Sequence, residues 1–151
     1  MARNIKELEF LLGRWSGIAE GPGTDNGTLT STAAFTYEPG KSIISGYREN
    51  REGKKLENRI IMLFLLDKNL DKFVRKDVYS YGFVVNQIGE PNGNRFNFDS
   101  VGIDSEPEYY RGVKFRTFVE QISEKNITMG VETAKPGETY HLYVQQRLKR
   151  S

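Results

Sequence analysis

The amino-acid sequence predicts an all-β fold: about ten antiparallel strands in up-and-down order, closed into a barrel behind a short N-terminal helix. Three observations carry that expectation. Strand-like runs follow one another at regular spacing after Trp15, and turn residues separate them. The composition, 12% aromatic with 15 glycines, suits ring-packed sheets and tight turns better than a helical bundle.

The helix comes first. Ile5, Leu8, Leu11 and Leu12 recur at helical spacing, Asn4 precedes the run as a cap, Glu7 completes a capping box, and Gly13 stops it. Strands are then expected at 15–20, 27–37, 42–50, 57–66, 72–79, 82–89, 94–102, 113–122, 127–133 and 139–149. Gly21-Pro22-Gly23, Pro39-Gly40, Glu52-Gly53, Asp67-Lys68-Asn69, Pro91-Asn92-Gly93, Lys125-Asn126 and Pro136-Gly137 supply the turns between them. The one long irregular connection, 103–112, holds Glu106-Pro107-Glu108-Tyr109-Tyr110 and reads as a surface loop near one end of the sheet. No repeat or linker interrupts the pattern, so residues 1–151 are expected to form a single domain. A chain of this size buries about two-thirds of its unfolded surface and needs neither metal nor disulfide for stability.

Closing ten short strands into a barrel removes exposed sheet edges and leaves an interior that side chains nearly fill or that holds one small ligand. Alternation nominates the inner face: Leu29, Ala33, Phe35 and Tyr37, then Phe96 and Phe98, then Phe115, Thr117 and Val119, then Ile127, Met129 and Val131. The run Ile60 to Leu66 is apolar on both faces, so its outer face is expected to be covered by the N-terminal helix or by a partner subunit, as in a homodimer.

Charge excludes several classes of function. The 22 basic and 20 acidic residues are scattered, so no segment forms a nucleic-acid footprint. With no cysteine, thiol nucleophiles and thiolate-zinc sites are ruled out. The longest apolar run is too short to span a bilayer, and the opening residues lack the apolar core of a signal peptide. A cytoplasmic location is therefore expected, with neither nucleic acid nor membrane as a partner.

The most distinctive segment is Leu12-Gly13-Arg14-Trp15-Ser16-Gly17-Ile18-Ala19-Glu20-Gly21. Gly13 lets the chain turn sharply out of the helix, and the Trp15 indole can then plug one end of a barrel while its N–H seeks an acceptor. Gly-x-Trp after a short helix resembles the opening of the calycin barrels, the superfamily of lipocalins, fatty-acid-binding proteins and nitrobindins. The longer Gly-x-Trp-x-Gly-x-x-Glu-Gly spacing is more similar to nitrobindins and fatty-acid-binding-like bacterial domains than to secreted lipocalins. By likeness to lipocalins, Arg147 or Arg150 would lie as a cation over the Trp15 ring. By likeness to nitrobindins, which are ferric haem barrels reacting with nitrogen oxides, a histidine on the last strand would hold the iron. The only histidine here is His141, ten residues from the end of the chain.

Two parities are open for that last strand. Leu142, Val144 and Leu148 share one face, and His141, Tyr143, Gln145 and Arg147 share the other. With the apolar face inward, His141 meets solvent. With the other inward, Tyr143 and Arg147 resemble the carboxylate clamp of a fatty-acid-binding protein.

Signs of catalysis are sparse. Glu106 and Glu108 flank Pro107 in a loop and read as solvated charges, while Asp99, Asp104 and Glu132 have no metal-ligand spacing. No nucleophile elbow, phosphate loop or dinucleotide fingerprint is present. The leading expectation is a non-catalytic barrel without a cofactor that binds a small hydrophobic or amphipathic, fatty-acid- or lipid-like ligand. Its expected lining is Trp15, Phe35, Tyr37, Phe98, Phe115, Met129, Tyr143 and Arg147. The alternatives are a nitrobindin-like haem b protein reacting with nitric oxide or peroxynitrite, with His141 on the iron, and a barrel used as a dimeric interaction module.

Overall fold

A computed structural model describes residues 2–25 and 27–151. The Asn4 side chain accepts the Lys6 N–H at 2.9 Å while Glu7 Oε2 accepts the Asn4 N–H at 2.9 Å, so the capping box forms. It opens a 3-10 helix, η1 (Ile5–Leu11), rather than an α-helix; Leu12 caps it, donating its N–H to the Glu9 carbonyl. Gly13 then turns the chain at φ +110°, a conformation that a side chain would strain.

Ten strands follow: β1 (Gly13–Glu20), β2 (Thr28–Tyr37), β3 (Ile43–Glu52), β4 (Lys55–Asp67), β5 (Lys72–Tyr79), β6 (Phe83–Asn92), β7 (Arg95–Asp104), β8 (Lys114–Gln121), β9 (Asn126–Ala134) and β10 (His141–Arg150). Two short 3-10 turns, η2 (Pro22–Thr24) and η3 (Glu108–Tyr110), sit in the β1–β2 and β7–β8 connections. Each strand pairs antiparallel with its neighbour in sequence, and β1 pairs with β10, so the barrel is closed. The strand pattern matches the expected one closely, with two local differences. Strand β6 runs through Pro91 and Asn92, leaving the reversal to Gly93 and Asn94, and much of the 103–112 connection is taken up by the end of β7 and by η3.

The two ends of the barrel differ. Helix η1 plugs one of them, with Leu8 and Leu11 fully buried against Trp15, Phe35, Phe64, Phe73, Phe96, Phe98 and Met129. Burying a leucine side chain this way stabilises the fold by about 1.5–3 kcal/mol. Trp15 donates its indole N–H to the Leu11 carbonyl at 2.7 Å, and Arg150 lies 4.2 Å above the indole while donating to the carbonyls of Leu12 and Phe10. The cation over Trp15 is therefore Arg150 and not Arg147. Because η1 is spent on this plug, it does not cover the outer face of β4, as one reading expected. Ile61 there is exposed, with Arg59 stacked on Tyr47 beside it.

Candidate functional site

The other end of the barrel is framed by η2, the β5–β6 turn, the η3 connection and the start of β10. Behind this rim lies a cavity of about 200 Å3. Its rim is tyrosine-rich, with Tyr81, Tyr110 and Tyr143. Its wall carries Ile60, Tyr79, Phe83, Phe115 and Val131 with the polar Asn50 and Asn58, and Arg48 lies at its floor. The rings support one another: Tyr79 stacks on Phe83 at 4.5 Å, and Tyr110 meets Phe83 and Phe115 edge-on at 5.5 and 5.2 Å.

Strand register explains why these residues converge. Arg48 stands opposite Ile60, Ile60 opposite Tyr79, and Tyr79 opposite Phe83, one continuous row across β3 to β6. One step nearer the rim Asn50 is opposite Asn58, and its Nδ2 donates to Asn58 Oδ1 at 3.2 Å. One layer deeper, a fully buried ion pair closes the floor: Arg75 Nε donates to Asp77 Oδ1 at 2.8 Å. The Arg75 guanidinium also lies over the rings of Phe64 and Phe98, at 5.2 and 5.6 Å.

Arg48 has no such arrangement. It is 2% exposed, and among the described residues its Nε and Nη1 have no hydrogen-bond partner. Burial, opposed in part by Tyr79 and Asp77 and reinforced by the neighbouring Arg75 charge, pulls its guanidinium down to about 10, so it stays cationic at neutral pH. Tyr79 does not supply a counterion, because burial and Asp77 push its phenol up. Burial and the other rim tyrosines likewise raise Tyr110 to about 12.

The chain matches no protein-family model and no curated protein by sequence. Among solved structures it is similar to Rv2717c from M. tuberculosis, at 13% identity and a TM-score of 0.71, over 97% of this chain and 96% of that one. At that identity the likeness concerns the fold alone.

The expected lining residues fall into three groups. Phe115 and Tyr143 line the cavity. Trp15, Phe35, Phe98 and Met129 face the interior but are packed into the plugged end, where Tyr37, bonded through its hydroxyl to Glu9 at 2.6 Å, ties η1 to β2. Arg147 is a correction: it projects outside the barrel and pairs with Glu20 at 3.1 Å, so no Tyr143–Arg147 clamp forms. Inward positions on β10 belong instead to Gln146 and Leu148. A bulge between Leu142 and Val144 breaks the alternation and lets Tyr143 reach the cavity as well.

The bulge does not bring in His141, which is exposed at the first residue of β10 and lies outside the cavity lining. The residues present do not fit a haem. The cavity is smaller than the roughly 300–1,000 Å3 of ordinary ligand pockets, and the one imidazole is on the wrong side of the wall. Among the described residues there is also no group of three or more His, Asp or Glu side chains placed to hold a metal ion.

Arg48, Asn50 and Asn58 were not expected in the site. One signal was present: in Ile44-Ser45-Gly46-Tyr47-Arg48-Glu49-Asn50, alternation that places Ile44 inward carries Arg48 and Asn50 inward too. The opposite parity offers Ile43 and Tyr47, equally apolar, so the pattern alone did not choose.

Proposed function

We propose that this barrel is a container for one small, compact, largely apolar or aromatic molecule, taken up through the tyrosine-rimmed end and held without chemical transformation. The observation that supports this reading is the asymmetry of the interior. One end is packed solid beneath η1, while the other keeps a cavity of about 200 Å3 walled by aromatic and aliphatic side chains over a few polar groups. The volume favours a single ring or a short chain over a long acyl chain. The general expectation of a lipid-like ligand is narrowed accordingly.

Titration of the isotope-labelled protein with benzamide, phenol and palmitate, followed by amide chemical shifts, tests the reading. Saturable shifts confined to the amides of Tyr79, Tyr110, Val131 and Tyr143 are expected for the two small compounds and not for palmitate. Absence of shifts at those amides with either small compound would refute it.

A further inference from the structure

Resting on the reading of the barrel as a container, we propose that its ligand is an organic monoanion whose carboxylate pairs with Arg48 at the floor of the cavity. The charges on the interior side of the wall do not balance. Arg48, Arg75 and Asp77 are all at most 2% exposed, two cations against one anion. Asp77 is committed to Arg75 by the 2.8 Å bond, and Arg75 also lies over two phenylalanine rings. Among the described residues Arg48 is bonded to no carboxylate and lies over no ring, Asp77 being engaged by Arg75, and it is the cation that lines the cavity.

An unpaired cation out of water is among the most costly arrangements a fold retains, and replacing it with an apolar residue of similar size ordinarily improves stability. Its retention at a cavity wall is accounted for if the partner comes with the ligand. Charge selects the class: a single positive charge is neutralised by a monoanion, whereas a phosphate dianion would leave an excess negative charge in the same apolar surroundings. A guanidinium is also the cation best matched to a planar carboxylate, through two parallel hydrogen bonds. The aromatic wall above, Phe83, Phe115, Tyr79 and Tyr110, then takes an apolar body attached to that carboxylate. Arg48 lies on β3 and not on the last strand, where Arg147 points outward to Glu20, so the site is not the clamp that the sequence suggested.

Benzoate and benzamide share a ring and differ in charge, and comparing their affinities isolates the Arg48 contribution. The wild-type protein is expected to bind benzoate at least tenfold more tightly than benzamide. Arg48→Met should abolish that preference and keep benzamide binding, and Arg48→Lys should keep part of it. Arg147→Met, which removes a surface charge of the same sign, should leave the preference unchanged. Equal affinity for the two probes in the wild type, or a preference that survives Arg48→Met, overturns the anion site while the container reading stands. Failure of both probes to bind overturns both. If Arg48→Met does not fold, loss of the preference in Arg147→Met with its survival in Arg48→Lys would likewise overturn the proposal, because it would trace the preference to diffuse surface charge.

Discussion

A buried arginine normally announces its purpose through its partners, and the two in this barrel do so in opposite ways. Arg75 is bonded to Asp77 and lies over the rings of Phe64 and Phe98. Removing the carboxylate with Asp77→Ala leaves two unpaired cations in contact with the core, and a loss of about 3–5 kcal/mol in urea unfolding is expected. Arg48 is a cost to the unliganded fold. Arg48→Met should stabilise the empty barrel by about 1–3 kcal/mol, or about 2–10 °C in Tm, measured by thermal unfolding at neutral pH. A fall in Tm would instead mark Arg48 as a structural residue. The sign of the pH dependence follows from linkage. Arg48, lowered to about 10 when folded, holds its proton more tightly in the unfolded chain, so its cost is complete below pH ~10 and is relieved as the pH rises from there. Tyr37 and Tyr110, each raised to about 12, act oppositely: their contribution to the folded state is complete below pH ~10 and is lost as the pH rises from there to about 12. The Tm advantage of Arg48→Met over wild type should therefore shrink between about pH 9 and pH 11.

Among elements, the plug formed by η1, Trp15 and Arg150 matters most to which end of the barrel stays open. Gly13 sits at φ +110°, and a Cβ placed on it would lie 2.7 Å from Arg150 Nη1. Gly13→Ala is therefore expected to cost about 1–3 kcal/mol and to push Arg150 off the indole. Arg150→Ala removes the cation over the ring and two bonds to the carbonyls at the end of η1, with an expected loss of about 1–3 kcal/mol. Trp15 is the sole tryptophan and is 1% exposed, so both changes should shift its emission to the red, and fluorescence alone reports them. Neither change should alter benzamide binding at the far end. The β10 bulge works in the other direction, since it adds Tyr143 to the rim without turning His141 inward.

At the scale of the whole molecule, a barrel in which β1 closes onto β10 shares one interior among all ten strands, so unfolding should be cooperative. Trp15 fluorescence, which reports the plugged end, and a probe of tyrosines at the open end should give coincident urea transitions; separated midpoints would show that the two ends unfold independently. Much of this architecture was legible beforehand. Turn residues and alternation placed the ten strands within a few residues, and Asn4, Glu7 and Gly13 marked the helix, because caps, turns and strand period are local properties of the chain. The cavity was less legible. Phe115 and Tyr143 were named for it, but Phe35, Phe98 and Met129 were grouped with them because inward direction is local while depth along the barrel is not. The sequence by itself therefore determined the strands, their turns and the Trp15 plug motif. Only the tertiary structure decided which end is filled, that Arg150 and not Arg147 covers Trp15, that His141 stays outside, and that Arg48 reaches the cavity without a counterion. Each of these depends on cross-strand register and on a single bulge, which are set by pairing between residues distant in the chain.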